Sequence, residues 1–144
     1  MASDTTLEFS IDGQVLFTSA GKWLHPLFEL ERFLDGRQLD MSRAEIRDKI
    51  IGRASAFLIV RMGIRRVHAG VLSLLGKDVL DRAEAACTWD ALVDTIQCRT
   101  EGLLRTTRDP QEAYRIVSDL AAKDRERQMK GPAVRPSASG GPAL

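Results

Sequence analysis

The spacing of apolar and polar residues changes several times along the chain, and each change marks an element. Leu7, Phe9 and Ile11 alternate with Glu8 and Ser10, and Val15, Leu16 and Phe17 resume after Asp12-Gly13. Alternation on both sides of Asp-Gly predicts a β-hairpin, because the tightest hairpin turns need residues that tolerate positive φ. After a loop at residues 19–22, Leu27, Phe28, Leu30, Phe33 and Leu34 recur at helical spacing. Pro26 suits the first position of that helix, and Asp35-Gly36 ends it. Residues 37–47 are polar and read as a connection, partly helical where Ser42-Arg43-Ala44-Glu45 matches a capping box.

The longest apolar run covers residues 50–62, interrupted only by Arg53, Ser55 and Arg61. It predicts a helix buried on most sides and starting at Asp48-Lys49, with Asp48 at the positive end of the dipole and Gly63 as a left-handed stop. Residues 65–72 read as a central parallel strand, since Ile64, Val67, Ala69, Val71 and Leu72 leave little room for a solvated face. Ser73 is placed to cap the next helix, at residues 75–86. A short strand at 86–89, a helix at 90–98 carrying Leu92, Val93 and Ile96, and a loop at 99–108 follow. Asp109-Pro110-Gln111-Glu112 is a strong helix start, with Ala113, Ile116, Val117 and Leu120 turned inward. This order implies right-handed crossovers on a mixed sheet, an α/β fold expected as a three-layer α/β/α sandwich. One domain is expected over residues 7–130, between a disordered start at 1–6 and a disordered Gly-, Pro- and Ser-rich tail at 131–144.

Composition narrows the classes. A chain of 144 residues suits one domain with a real core. Net charge is +1, so no strong field draws the chain to nucleic acid or to a membrane. MASDTTLEF has no basic start followed by an apolar run, so no signal peptide is expected and the cytoplasm is the expected location. Cys87 and Cys98 do not form a disulfide framework. Zinc is not expected, because no two of His25, His68, Cys87 and Cys98 stand at ligand spacing. No cofactor is called for.

Two stretches carry a family resemblance. Asp48-Lys49-Ile50-Ile51-Gly52-Arg53-Ala54-Ser55-Ala56 and Val67-His68-Ala69-Gly70-Val71-Leu72-Ser73 resemble the D-K-x-x-G-[KR]-A-x-A and V-[YH]-A-G-V-x-S motifs of a prokaryotic domain-of-unknown-function family, DUF1893. The similarity runs from about Leu7 to Leu120. It implies a cytidine-deaminase-like fold without the deaminase zinc site. Zinc deaminases carry H-x-E and P-C-x-x-C at two helix starts. Here the matching positions hold Asp48-Lys49-Ile50 and Ser73-Leu74-Leu75-Gly76. His68-Ala69-Gly70 has Gly where the general acid/base Glu would stand and lies inside a strand, so a satisfied strand histidine is expected. The chain also departs from the family. Cys98-Arg99 replaces an Asn-Arg pair, and Leu104 replaces the Cys of a Gly-Leu-Cys-Pro-Met-Glu segment.

Three functional readings compete. In the first, Asp48, Lys49, Gly52, Ser73, Cys98 and Arg99 border a pocket at the carboxyl edge of the sheet. There Lys49 and Arg99 hold an anionic small molecule, nucleotide-like or phosphate-bearing, helped by helix N-termini. The plainer alternative makes Asp48 and Ser73 helix caps. In the second, a metal-independent enzyme uses Cys98 activated by Arg99, or Asp48 with Lys49. In the third, Arg61, Arg65 and Arg66 form a basic rim for acidic partners, although few aromatics are present for stacking bases. A homodimer is compatible with each reading.

Overall fold

Residues Leu7 to Ser19 fold back on themselves at Asp12-Gly13, where φ is +53° and +82°. The computed structural model describes residues 4–96 and 99–130, with backbone alone at 99–100 and 128–130. Strand β1 (Leu7–Ile11) pairs antiparallel with β2 (Gln14–Ser19), Phe9 facing Phe17. Helix α1 (His25–Leu34) follows with Pro26 in its first turn, and Gly36 takes a left-handed φ of +79° just beyond it. These elements follow the local signals that predicted them.

The next segment does not. Residues 37–47 were expected to be a connection, with a capping box at Ser42. Instead a single 3-10 turn, Met41–Arg43, is capped by the Asp40 carboxylate. Strand β3 (Ala44–Ile51) then runs through Asp48, Lys49 and Ile50, which were expected to begin a helix. The strand wins because both of its edges are occupied, by β1 antiparallel and by β4 (Arg66–Ser73) parallel. Helix α2 (Arg53–Arg61) starts only after Gly52. Between the Asp48–Ala69 and Ile50–Val71 pairs, the Lys49 carbonyl approaches β4 so closely that a Cβ at Gly70 would lie 2.6 Å from it.

Helix α3 (Leu74–Arg82) starts directly behind Ser73. Strand β5 (Ala86–Val93) is twice as long as expected and extends into residues 90–93, which were expected to be helical, because its whole length pairs with β4. Part of the expected loop at 99–108 is a short helix, α4 (Arg99–Leu103). Helix α5 (Pro110–Lys130) starts where predicted, and Asp109 accepts a bond from the Gln111 amide at 3.2 Å. The expected tail at 131–144 lies outside the described residues.

The sheet has five strands in the order β2-β1-β3-β4-β5, with β1 antiparallel to the other four. The three crossovers through α1, α2 and α3 all advance in one direction. Right-handedness therefore places these helices on one face. Leu7, Phe9, Ile46, Val67 and Ala69 are buried beneath them, and Val117 and Ala121 of α5 join the same core from outside α2. Among the described residues the opposite face is polar. It carries Glu8, Arg47, His68 and Thr88 in one cross-strand row. His68 sits between Thr88 Oγ1 at 2.7 Å and Asp90 at 3.3 Å, the satisfied strand histidine that was expected. The fold is thus α/β with a mixed sheet and a helical cover. Helix α5 packs against α2.

Candidate functional site

Parallel strands β3 and β4 end side by side, and α2 and α3 begin directly above those ends. The two helix tips touch: a Cβ at Gly76 would lie 2.8 Å from the Gly52 carbonyl oxygen. Both tips are already capped from within the chain. Ser73 is fully buried and its Oγ accepts from the Gly76 amide at 2.9 Å. Ser73 is therefore a cap, and it does not face the cavity described below. At α2 the cap comes from α4. The buried Glu101 carboxylate accepts from the Arg53 amide at 2.7 Å and from the Ile96 amide at 3.1 Å. Gly52 is needed beside it, since a Cβ there would meet Glu101 Oε1 at 2.7 Å. The α2 dipole, expected to hold a ligand anion, is thus occupied by the protein's own carboxylate.

Arg53 secures the same corner. Its buried guanidinium donates to the Thr107 carbonyl at 2.7 Å, the Leu75 carbonyl at 2.9 Å and Asp78 at 3.2 Å. It joins α2, α3 and the segment after α4 in one network. Leu104, standing where the family has Cys, is fully buried in the core.

Beside this corner, toward α1, lies a cavity of about 300 Å³. Asp48, Lys49 and Ile50 border it from β3, and Gly52, Ala54 and Ser55 from α2. Lys22, Trp23, Leu24 and Pro26 border it from the start of α1 and the turn before it, and Ile96 and Glu101 from the segment after β5. The Trp23 turn is unusual, with φ of +58° on a bulky residue and an indole packed edge-on against His25. His25 is held at 2.7 Å by Asp124 of α5. Thr6 closes the near side. Its hydroxyl donates to the Gly21 carbonyl at 2.8 Å, and its carbonyl accepts from the Lys49 amide at 3.0 Å.

Four charged side chains, Lys22, Asp48, Lys49 and Glu101, border the cavity together with the Ser55 hydroxyl. Burial pushes the Asp48 carboxyl up to about 7, and the backbone amides of Ile50 and Lys49 offset this only in part. The Ser55 side chain is 6% exposed and borders the cavity, and its hydroxyl makes no hydrogen bond to a described residue. A buried hydroxyl without a partner is uncommon, because it forfeits its bond to water.

Of the residues expected at a site, Asp48, Lys49 and Gly52 come together at the cavity and Ser73 does not. Cys98 and the side chain of Arg99 lie outside the described residues. Reading the sequence missed Glu101 and Ser55. Only the break that Ser55 makes in an apolar run hinted at either. The basic rim is partly committed, with Arg61 stacked 3.6 Å from the Tyr114 ring and Arg65 bonded to the Val60 and Ile64 carbonyls. Among the described residues no group of three His, Cys, Asp or Glu could hold a metal ion, and no helix is long and apolar enough to cross a membrane.

A family model described as Domain of unknown function (DUF1893) matches residues 3–121. The chain belongs to this family. A crystal structure of a DUF1893 family protein from Thermotoga maritima is 24% identical to it, with a TM-score of 0.72 over 81% of this chain and 80% of that one. That likeness is one of fold. No curated protein matches the chain. In this DUF1893 chain the D-K-x-x-G-R-A-S-A motif spans the end of β3, the Gly52 junction and the first turn of α2, and so supplies six of the fourteen residues that line the cavity.

Proposed function

We propose that this DUF1893 chain binds a small organic molecule in the cavity between β3, α1 and the α2 start. Asp48 and Ser55 serve as its polar anchors. The observation that carries the reading is the pairing, in one mostly apolar cavity, of an enclosed carboxyl with a buried, unpartnered hydroxyl. A ligand would supply the hydrogen bond that folding left unmade at the Ser55 hydroxyl.

The deaminase-like fold implied by the family resemblance is part of this proposal. Support comes from the mixed sheet and from two helix starts meeting above adjacent parallel strands. A catalytic reading is favoured by one observation only. A carboxyl raised to about 7 can both take and give a proton near neutral pH, so Asp48 is the group on which an acid–base reaction would turn.

Thermal-shift screening of a broad panel that includes a nucleotide series tests the binding reading. A ligand at a hundred times its Kd adds about 2.7 kcal/mol of stability. The expected result is a stabilising compound whose effect is lost in Ser55→Ala. A panel with no stabilising compound, or one acting equally on both proteins, refutes it.

A further inference from the structure

The two edges of the sheet are built differently. At one edge, β2 shifts register against β1 between Phe9 and Ser10, an irregularity of the kind that blunts an edge. At the other edge, β5 keeps one parallel register with β4 from the Arg66–Ala86 pair to the Ser73–Val93 pair. Among the described residues no strand pairs with its outer side. Its sequence, ACTWDALV, holds no proline, lysine or arginine, and Asp90 is its one charge. Apolar side chains are exposed along it. Trp89 is 36% exposed and Leu92 40%, and Leu74, which opens α3 behind the Ser73–Val93 pair, is 47% exposed. An outer row of unpaired N–H and C=O groups flanked by exposed apolar side chains is a template for another strand.

We infer that β5 pairs with β5 of a second copy of this chain, antiparallel about a two-fold axis, so that two sheets join into one. An axis normal to the sheet keeps each face continuous, so a residue opposes only residues that share its face. That leaves few registers. With Asp90 on the axis, two carboxylates oppose each other, which is unfavourable. With Trp89 on the axis, the strand matches its own reverse. The two Trp89 rings then meet on the helix-covered face, where Lys77 Nζ of α3 already lies 5.7 Å from the ring. On the polar face each Thr88 hydroxyl opposes the Asp90 carboxylate of the other copy. Thr88 Oγ1, 2.7 Å from His68 Nδ1, has capacity for this second bond. Cys87 opposes Ala91, and Ala86 opposes Leu92, so the remaining pairs are small or apolar. This match of the strand to its own reverse selects a second copy over a strand of another sequence.

Sedimentation of the full chain over a concentration series tests the inference, with hydrogen exchange read at the β5 amides. The expected species has twice the mass of one chain, and its β5 amides exchange more slowly as concentration rises. Trp89→Lys and Ala91→Lys each place a cation on the edge and should raise the dissociation constant at least tenfold. Val15→Lys, at an exposed position on the opposite edge, should leave it unchanged. Circular dichroism checks that each variant folds. Should Trp89→Lys unfold, Ala91→Lys still decides, because Ala91 is exposed and its replacement leaves the core intact. A chain that stays monomeric at every concentration overturns the inference. So does a dimer that is indifferent to Ala91→Lys, or one that Val15→Lys disrupts. Concentration-independent protection of β5 in a monomer also overturns it, since the edge would then be filled from within one chain.

Discussion

Replacing Asp48 by Asn should stabilise this protein at alkaline pH and do almost nothing at acid pH. In the unfolded chain Asp48 ionises near its ordinary 3.8, and in the folded protein only near 7. The native state therefore holds the proton more tightly. Below about pH 4 both states are protonated and Asp48 costs nothing. Between about pH 4 and 7 only the unfolded chain gives up its proton, so folding loses stability as pH rises. Above about pH 7 both states are ionised and the penalty is complete. At about 1.4 kcal/mol for each tenfold change in proton affinity, the raised value corresponds to about 4 kcal/mol. Asn has the shape of the protonated acid and cannot ionise. The variant should match wild type near pH 4 and exceed it by up to about 4 kcal/mol at pH 8. With a urea m-value of about 2 kcal/mol/M, the midpoint should move by about 2 M. Urea titrations of both proteins across this range decide the matter, since other carboxyls cancel in the difference. A pH-independent offset would refute the burial argument for Asp48.

Glu101→Gln should cost about 2 kcal/mol in urea unfolding, because two amides require two acceptors and an amide side chain offers one; an unchanged midpoint would show that the cap is dispensable. Arg53→Met should cost about 2 to 3 kcal/mol, since it leaves the partly buried Thr107 and Leu75 carbonyls without their donor. A loss under about 1 kcal/mol would mean that water or a neighbour replaces the guanidinium. Gly70→Ala should cost about 2 to 3 kcal/mol, because the atom 2.6 Å from the new Cβ is backbone and cannot swing aside. Calorimetry showing no fall in Tm would mean that β3 and β4 separate more easily than their pairing implies.

Elements specified by local chemistry were legible in the sequence. The Asp12-Gly13 hairpin, the Pro26 helix, the Ser73 cap and the Asp109-Pro110 helix start each need only residues within a turn of one another. Strand β3 was misread because Asp48 and Lys49 break the alternation that Ala44 to Arg47 begins, and because Ile50 and Ile51 run on into the apolar residues of α2. A short buried strand and the start of a buried helix look alike by periodicity. Only pairing with β1 and β4, more than fifteen residues away in each direction, separates them. β5 was cut short for a similar reason, as Leu92, Val93 and Ile96 fall at helical spacing. Asp48, Lys49 and Gly52 could still be placed beside one cavity, because the carboxyl edge of the sheet was located even with the strand misassigned. Glu101 could not, since it caps a helix forty-eight residues earlier in the chain.

The two helix tips explain why the unsatisfied chemistry lies where it does. Here α3 carries Ser73, which its own Gly76 amide engages, and α2 carries Gly52 and Arg53, which Glu101 and Thr107 engage. The contact between Gly52 and Gly76 lets the tips sit close enough for Arg53 to span from α2 to the Leu75 carbonyl. This corner is therefore a closed hydrogen-bond network, and its polar groups do not require a ligand. Asp48 and Ser55 border the cavity on the α1 side of the same β3–α2 junction, with Lys22, Trp23, Leu24 and Ile96 across from them. Glu101 takes the place at the α2 tip that a ligand anion could have had, and Gly52 leaves the room that its carboxylate needs there.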